Sequence, residues 1–277
     1  MIEMVKNKTP LVSIIIPTYK SARTLKFVLE SIKNQTYKNI EVIVVDRPSD
    51  DKTEEIVRNL GYKYISLNSE RTKAVNYGAK VSKGDFIYYI GSDYILESNL
   101  IEKVVKKILK EKADAAVVPN VILPTGFWSK VRWIEKECYK GDNLIEAARF
   151  FSRKAFFDVG GYDEKMVAYE EHDLHNRIIE KGYKVVRVNG VKEINIGEPN
   201  SLVVYVKKYY YYGKTIGKYL KKYPKKSLLQ LNPIRSSYLV NWKLFIKHPI
   251  LTLGFIFYQF VRYFSAGLGF LVSKVRK

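Results

Sequence analysis

One cysteine, Cys138, stands in 277 residues, so no intrachain disulfide and no cysteine metal cluster can form. A lone thiol fits a reducing compartment. Histidine is nearly as rare, with three in the chain. His172 and His175 lie three apart, but such a pair holds a metal only with further ligands nearby. The first nine residues are polar and lack the apolar core of a secretory leader. Acidic residues are missing where they would matter most. From Pro199 to Lys277 there is no Asp or Glu, while fifteen Lys and Arg fall there. The first 198 residues hold the other 33 of the 48 basic groups and all 28 acidic ones. The net charge of +20 therefore describes a near-neutral body followed by a basic tail. Such a tail binds nucleic acid or an anionic membrane surface.

What is present begins with alternating strand and helix signals. Apolar, β-branched runs at 11–16, 41–45, 62–67, 85–90 and 113–118 read as strands. Helical spacing lies between them at 25–32, 51–60, 71–82 and 97–110. Repeated units of this kind predict an α/β fold, with a mostly parallel sheet covered by helices on both faces. Ligands of such sheets bind beyond the carboxyl ends of the strands. After Pro124 the pattern loosens, with helices expected at 127–139 and 169–181 and strands at 147–152 and 183–188. These observations divide the chain into a body, 1–198, and a helical tail, 199–277.

The tail carries an apolar segment at 249–272 whose strongly polar members are Gln259 and Arg262. At about 1.5 Å per residue it can cross a hydrocarbon core about 30 Å thick. An Arg near a bilayer centre costs roughly 2.5–3.5 kcal/mol. Thr252, Gln259 and Arg262 share one helical face, which favours a helix lying in the interface, polar side to the headgroups, over a spanning helix or a soluble packing helix. Lys247, Lys274, Arg276 and Lys277 flank the segment as anchors. A nucleic-acid tail has no use for a long apolar run, so no nucleic-acid partner is expected.

Two groups of residues carry candidate chemistry. The first sits at strand ends and suits a phosphorylated donor. Asp46 can accept bonds from a ribose or base, Arg71 and Lys73 open a helix and can hold phosphate, and Asp93 can hold a divalent cation. The second is Tyr169-Glu-Glu-His-Asp-Leu174, where Glu170, Glu171 and Asp173 crowd a helix start. Acidic residues there suit the helix dipole. A carboxylate among carboxylates also gains proton affinity and can serve as a general base.

The blocks that carry these residues resemble family 2 glycosyltransferases of the GT-A fold, a Rossmann-like α/β arrangement, over 10–188. Val12-Ser-Ile-Ile-Ile-Pro-Thr-Tyr19 resembles the family's opening strand and loop. Glu41-Val-Ile-Val-Val-Asp46 resembles the strand that ends at a nucleotide-binding Asp. Gly91-Ser-Asp93 falls where the family has Asp-x-Asp, and Gly160-Gly-Tyr-Asp-Glu164 and Glu170-Glu-His-Asp-Leu174 match the blocks that carry the base. The Tyr- and Lys-rich segment after 200 resembles a prokaryotic, membrane-associated subgroup, weakly and to about residue 220.

The resemblance implies an inverting transfer of a sugar from a nucleotide-diphosphate donor to an acceptor hydroxyl, and the basic tail would dock the chain on anionic lipid at the cytoplasmic face of a membrane, near a lipid-linked or glycan acceptor. It makes Glu171 the base, with Glu170 and Asp173 beside it. It assigns Thr18, Tyr19, Asp46, Arg71, Lys73 and Ser92 to the donor. It assigns Asp93 and Glu198 to a divalent cation, Mg or Mn. The departures are Gly91 for the first Asp of Asp-x-Asp, Arg47-Pro48 for Asp-Gly, Val75 for Arg, Glu171 for Asp, and Gly197 for a His. They leave a second reading, a membrane-docked nucleotide-sugar-binding protein without turnover.

Overall fold

The computed structural model describes residues 9–275. Eight of the nine residues at the start, and the anchors Arg276 and Lys277, lie outside them. The body opens with β1 (Val12–Thr18), α1 (Ala22–Lys33), β2 (Ile40–Asp46), α2 (Thr53–Asn59), β3 (Lys63–Ser66), α3 (Arg71–Val81) and β4 (Phe86–Tyr89). It continues through β5 (Tyr94–Leu96), α4 (Leu100–Glu111), β6 (Ala115–Val117), β7 (Asn120–Ile122) and α5 (Phe127–Cys138). Then come β8 (Phe150–Ser152), α6 (Arg153–Asp158), α7 (Glu170–Glu180), β9 (Val185–Arg187) and β10 (Glu193–Asn195). The tail is helical: α8 (Leu202–Thr215), α9 (Gly217–Lys222), α10 (Pro224–Gln230), α11 (Ser236–Val240), α12 (Trp242–Lys247) and α13 (Pro249–Val275).

Seven strands form the main sheet in the order β3-β2-β1-β4-β8-β6-β9. The expected parallel pairing holds, except that β8 runs antiparallel to both β4 and β6. Val12, Ile14, Ile15 and Ile16 of β1 are fully buried, because both faces of this central strand are covered. Alternate residues feed two cores. Ile14 and Ile16 pack with the apolar faces of α1 and α4, and Ile15 packs with α3, α6 and α7. After β1 the chain builds outward to β3 and then returns to β4 on β1's other side. That reversal opens a crevice at the carboxyl ends of β1 and β4.

A second sheet, β5-β10-β7, escaped the sequence reading, since three-residue strands show no periodicity. Its job is positional: Asn195 of β10 donates to Asp93 at 3.0 Å.

The tail packs back onto the body. Gly213 of α8 lies against the Ala266 carbonyl, and Gly269 of α13 against that of Tyr210, so a Cβ at either glycine would collide with backbone. Gly254 fits α13 against the side chains of Phe127 and Val131 of α5. The shared polar face of α13 is as the sequence suggests, but its direction is reversed. Thr252 donates to the Phe245 carbonyl, Gln259 to the Tyr238 hydroxyl, and Arg262 to Glu135 at 2.6 Å. The buried Glu135 carboxylate accepts from both Gln259 and Arg262. The outward face is apolar: Ile250, Leu253, Ile256, Phe260 and Phe264 are each more than half exposed.

Candidate active site

Two cavities meet at Arg71. The first, about 290 Å³, occupies the crevice between β1 and β4 and is lined by Tyr19, Lys20, Arg23, Ser92, Asp93 and Gly197 among others. The second, about 330 Å³, lies beyond it and is lined by Glu170, Glu171, Lys136 and residues of the tail. Arg71 lines both. The sequence therefore placed Asp93 and Glu171, 78 positions apart, on two sides of one junction.

The first cavity is shaped by its loops. Lys20 takes a left-handed conformation (φ 50°) after β1, which turns Tyr19 outward, and the Arg47 guanidinium stacks 5.1 Å from the Tyr19 ring centre. Ser21 holds the loop to the opposite strand end through Ser92, 2.8 Å between hydroxyls. Asp93 sits between two residues without side chains. A Cβ on Gly91 would lie 2.7 Å from its Oδ1, and one on Gly197 would lie 2.6 Å from its Cβ. Burial pushes the Asp93 carboxyl above its usual range, opposed by Asn195 and Lys208 and reinforced by Glu198.

Thr18 and Asp46 do not line this cavity. Asp46 is buried and accepts from Thr18 (2.7 Å), Tyr64 (3.0 Å) and Ser49 (3.2 Å). Its carboxylate is held by these protein donors, and both residues brace the loop from beneath. Lys73 is an exposed residue of α3 and lines neither cavity.

The second cavity is set by α7. Asn76 of α3 accepts from the Tyr162 amide and donates back to its carbonyl, both at 2.8 Å. That pairing clamps the Gly160-Gly161 turn, where Gly161 has φ 65° and a Cβ would strike the Asn76 amide. Arg177 then ties α7 to the same turn through the Gly161 carbonyl at 2.7 Å. The start of α7 is thereby aimed at Arg71. Glu170 is buried and ion-paired with Arg71. Burial raises its carboxyl to about 6, Arg71 opposes and Glu171 adds to the rise. Glu171 lines the cavity, and its carboxylate makes no hydrogen bond or ion pair among the described residues. Asp173 is a different case. It is fully buried and accepts from Arg177 (2.9 Å), Lys222 (2.5 Å) and Tyr223 (3.1 Å), joining α7 to the tail outside both cavities.

The described residues do not build an all-protein cation site. Among the described residues no three His, Cys, Asp or Glu side chains cluster. Glu198, expected from sequence as a second ligand, instead accepts from Arg132 at 3.2 Å and Tyr205 at 3.0 Å. Gly91 and Gly197 supply no side chain where the resemblance expects an Asp and a His. Cations line the crevice in their place: Lys20, Arg23 and Arg71.

Sequence reasoning missed the tail's share of the site. Lys208, Tyr209, Tyr212, Arg235 and Arg262 all line the cavity that holds Glu171. The available signal was Arg262 itself, since an Arg inside an apolar run either faces a protein partner or bears a large desolvation cost.

A crevice at the switch of a mostly parallel α/β sheet, edged by cations and facing an unpartnered carboxylate across Arg71, is the ligand position of a GT-A-type fold. The chain belongs to glycosyl transferase family 2, which matches residues 13–161, more than half its length. An uncharacterized glycosyltransferase of Rickettsia typhi is 42% identical over 97 residues, 34% of this chain and 30% of that protein. The hyaluronan synthase of Pasteurella multocida is 28% identical over 188 residues, 64% of this chain and 19% of that one. The chain thus spans a third or less of these relatives. Among solved structures, the mannosyltransferase PcManGT from Pyrobaculum calidifontis, in complex with GDP-Man and Mn2+, superposes with TM-score 0.66 at 15% identity, covering 96% of this chain and 88% of that one. S. aureus TarS 1-349 in complex with UDP-GlcNAc gives 0.55 at 18% identity, covering 74% and 66%.

Proposed function

We propose that the protein is an inverting glycosyltransferase that uses a nucleotide-diphospho-sugar and works at a membrane surface. The observation that carries this reading is the junction at Arg71, where a cationic crevice suited to a diphosphate opens onto the unpartnered carboxylate of Glu171. The nucleotide lies against Tyr19, its diphosphate among Lys20, Arg23 and Arg71, and Asp93 accepts from donor hydroxyls. Ser92 and Ser21 hold the rim. Glu171 removes the acceptor hydroxyl proton as that oxygen bonds to the anomeric carbon. The carbon–oxygen bond to the diphosphate breaks, and the nucleoside diphosphate leaves with the electron pair. Arg71 and its neighbours stabilise the leaving charge. Turnover of any donor from a nucleotide-sugar panel checks this reading, and binding of donors without turnover contradicts it.

The work of a divalent cation falls to these side chains. EDTA is expected to change the transfer rate by no more than about twofold, whereas an enzyme that relies on a metal Lewis acid loses several kcal/mol of stabilisation. A collapse of activity that Mn²⁺ restores contradicts the assignment.

The docking surface is the apolar outer face of α13. Fully burying one large aliphatic or aromatic side chain is worth roughly 1.5–3 kcal/mol, so the exposed row offers on the order of 10 kcal/mol to a lipid interface. Lys243, Lys247 and Lys274 edge it and favour the anionic cytoplasmic leaflet. Body and tail, divided near 198, act as one unit in this arrangement. The protein is expected to co-sediment with phosphatidylglycerol vesicles, and Phe260→Ser/Phe264→Ser is expected to cut binding about tenfold or more. Unchanged sedimentation of that variant contradicts this orientation of α13.

A further inference from the structure

The cavity beside Glu171 carries more positive charge than its neighbours use. Six cations line it: Arg71, Arg132, Lys136, Lys208, Arg235 and Arg262. Glu170 and Glu171 are the acidic residues in its wall. Arg71 has Glu170, and Arg132 and Arg262 share Glu135 behind the wall. Three cations have no carboxylate within ion-pair distance among the described residues. Arg235 donates to the Tyr139 hydroxyl and to the carbonyls of Gln230 and Asn232. Among the described residues neither Lys136 nor Lys208 forms a side-chain hydrogen bond or an ion pair. Clustering ammonium groups is unfavourable, and a bound anion relieves it, more at Lys136 than at Lys208, whose ammonium is held above its usual range against burial by Tyr212 and Glu198. Burial, with Arg149 and Arg132 nearby, pushes Lys136 down to about 8, and Glu146 and Glu171 only partly oppose this.

Position narrows the kind of anion. The cavity begins where the donor crevice ends, so it lies on the acceptor side of Arg71. Its walls come from α5, the start of α7, α8, α13 and the segment before α11. The helices α8 and α13 that close it are those whose outer faces are apolar and exposed.

We propose that this cavity is an anion subsite for the acceptor, holding a phosphate or diphosphate group while the neighbouring hydroxyl meets Glu171. The substrate class is therefore a phosphorylated acceptor, not a neutral glycan. The proposal rests on the transferase reading for its orientation, but the subsite itself is a matter of charge and can be measured alone.

The test uses the full chain and two probes, inorganic pyrophosphate and farnesyl diphosphate. Each is titrated calorimetrically after the donor crevice has been saturated with UDP or GDP. Wild type is expected to bind both probes. Lys136→Gln is expected to weaken them about tenfold, and Lys136→Gln/Lys208→Gln about a hundredfold, as charge-assisted contacts are removed. Lys136→Arg, which keeps the charge, restores binding to within about threefold. Farnesyl diphosphate binding at least about tenfold tighter than pyrophosphate marks a lipid headgroup as the source. Equal affinities mark a soluble phosphate ester. Equal probe binding by wild type and the double variant overturns the subsite. Absence of nucleotide binding with probe binding intact instead counts against the transferase reading, so the two failures are distinguishable.

Discussion

Glu171→Gln is expected to lower the transfer rate by about 10²- to 10⁴-fold, the range for loss of a positioned general base. Nucleotide affinity should stay within about twofold, since the change is isosteric and Glu171 lines the neighbouring cavity, not the crevice that holds the diphosphate. The contrast with its neighbour is informative. Among the described residues Glu171 makes no hydrogen bond or ion pair that its loss would break, whereas Glu170 is the buried partner of Arg71. Glu170→Gln leaves a guanidinium at the cavity junction without its counter-charge. It should therefore alter donor affinity as well as rate, and lower thermal stability, which Glu171→Gln should not. Steady-state kinetics paired with nucleotide titration separates the two. Near-normal turnover by Glu171→Gln removes it from the base position.

The second large effect concerns stability. Glu135 is fully buried and accepts from Arg132, Arg262, Gln259 and the hydroxyls of Tyr139 and Tyr238. It joins α5 to α11 and α13 at one point. Removing its charge leaves Arg262 without a carboxylate partner and Arg132 with Glu198 alone, and breaking a buried pair in this way typically costs about 3–5 kcal/mol. For a chain of this size that corresponds to a fall in Tm of roughly 10 °C. Scanning calorimetry of Glu135→Gln measures it. Because Arg262 then loses the bond that turns it inward, the variant should also lose activity in proportion to the detachment of α13. A shift below about 2 °C shows that the cluster adds little beyond the packing around it.

The sequence was most legible where one residue's neighbours decide its state. The β-branched run of β1, the spacing of α3 and α4, and the Gly160-Gly161 turn each carry a local signature that the fold repeats. Legibility failed where a partner lies far along the chain. Arg262 reads as a charge inside an apolar run, and only the fold brings Glu135, 127 residues earlier, against it. The direction of the polar face of α13 was reversed for that reason. Asp46 and Asp173 illustrate the same limit. Both occupy positions where carboxylates are chemically useful, but Tyr64 in one case and Lys222 and Tyr223 in the other already engage their oxygens. Glu198, engaged by Arg132 and Tyr205, is the third. Of the acidic candidates, Asp93 and Glu171 are the two that line a cavity without a cationic partner. The short sheet β5-β10-β7 was invisible for another reason. Its strands draw their pairing from each other, and three residues are too few to show alternation.

A crystal of the full chain soaked with a nucleoside-diphospho-sugar addresses the arrangement at Arg71 most directly. The account predicts density for the diphosphate beside Lys20, Arg23 and Arg71, with the anomeric carbon of the sugar turned toward the Glu171 carboxylate. Density for the nucleotide outside the β1–β4 crevice, or a sugar whose anomeric carbon faces away from Glu171, contradicts it.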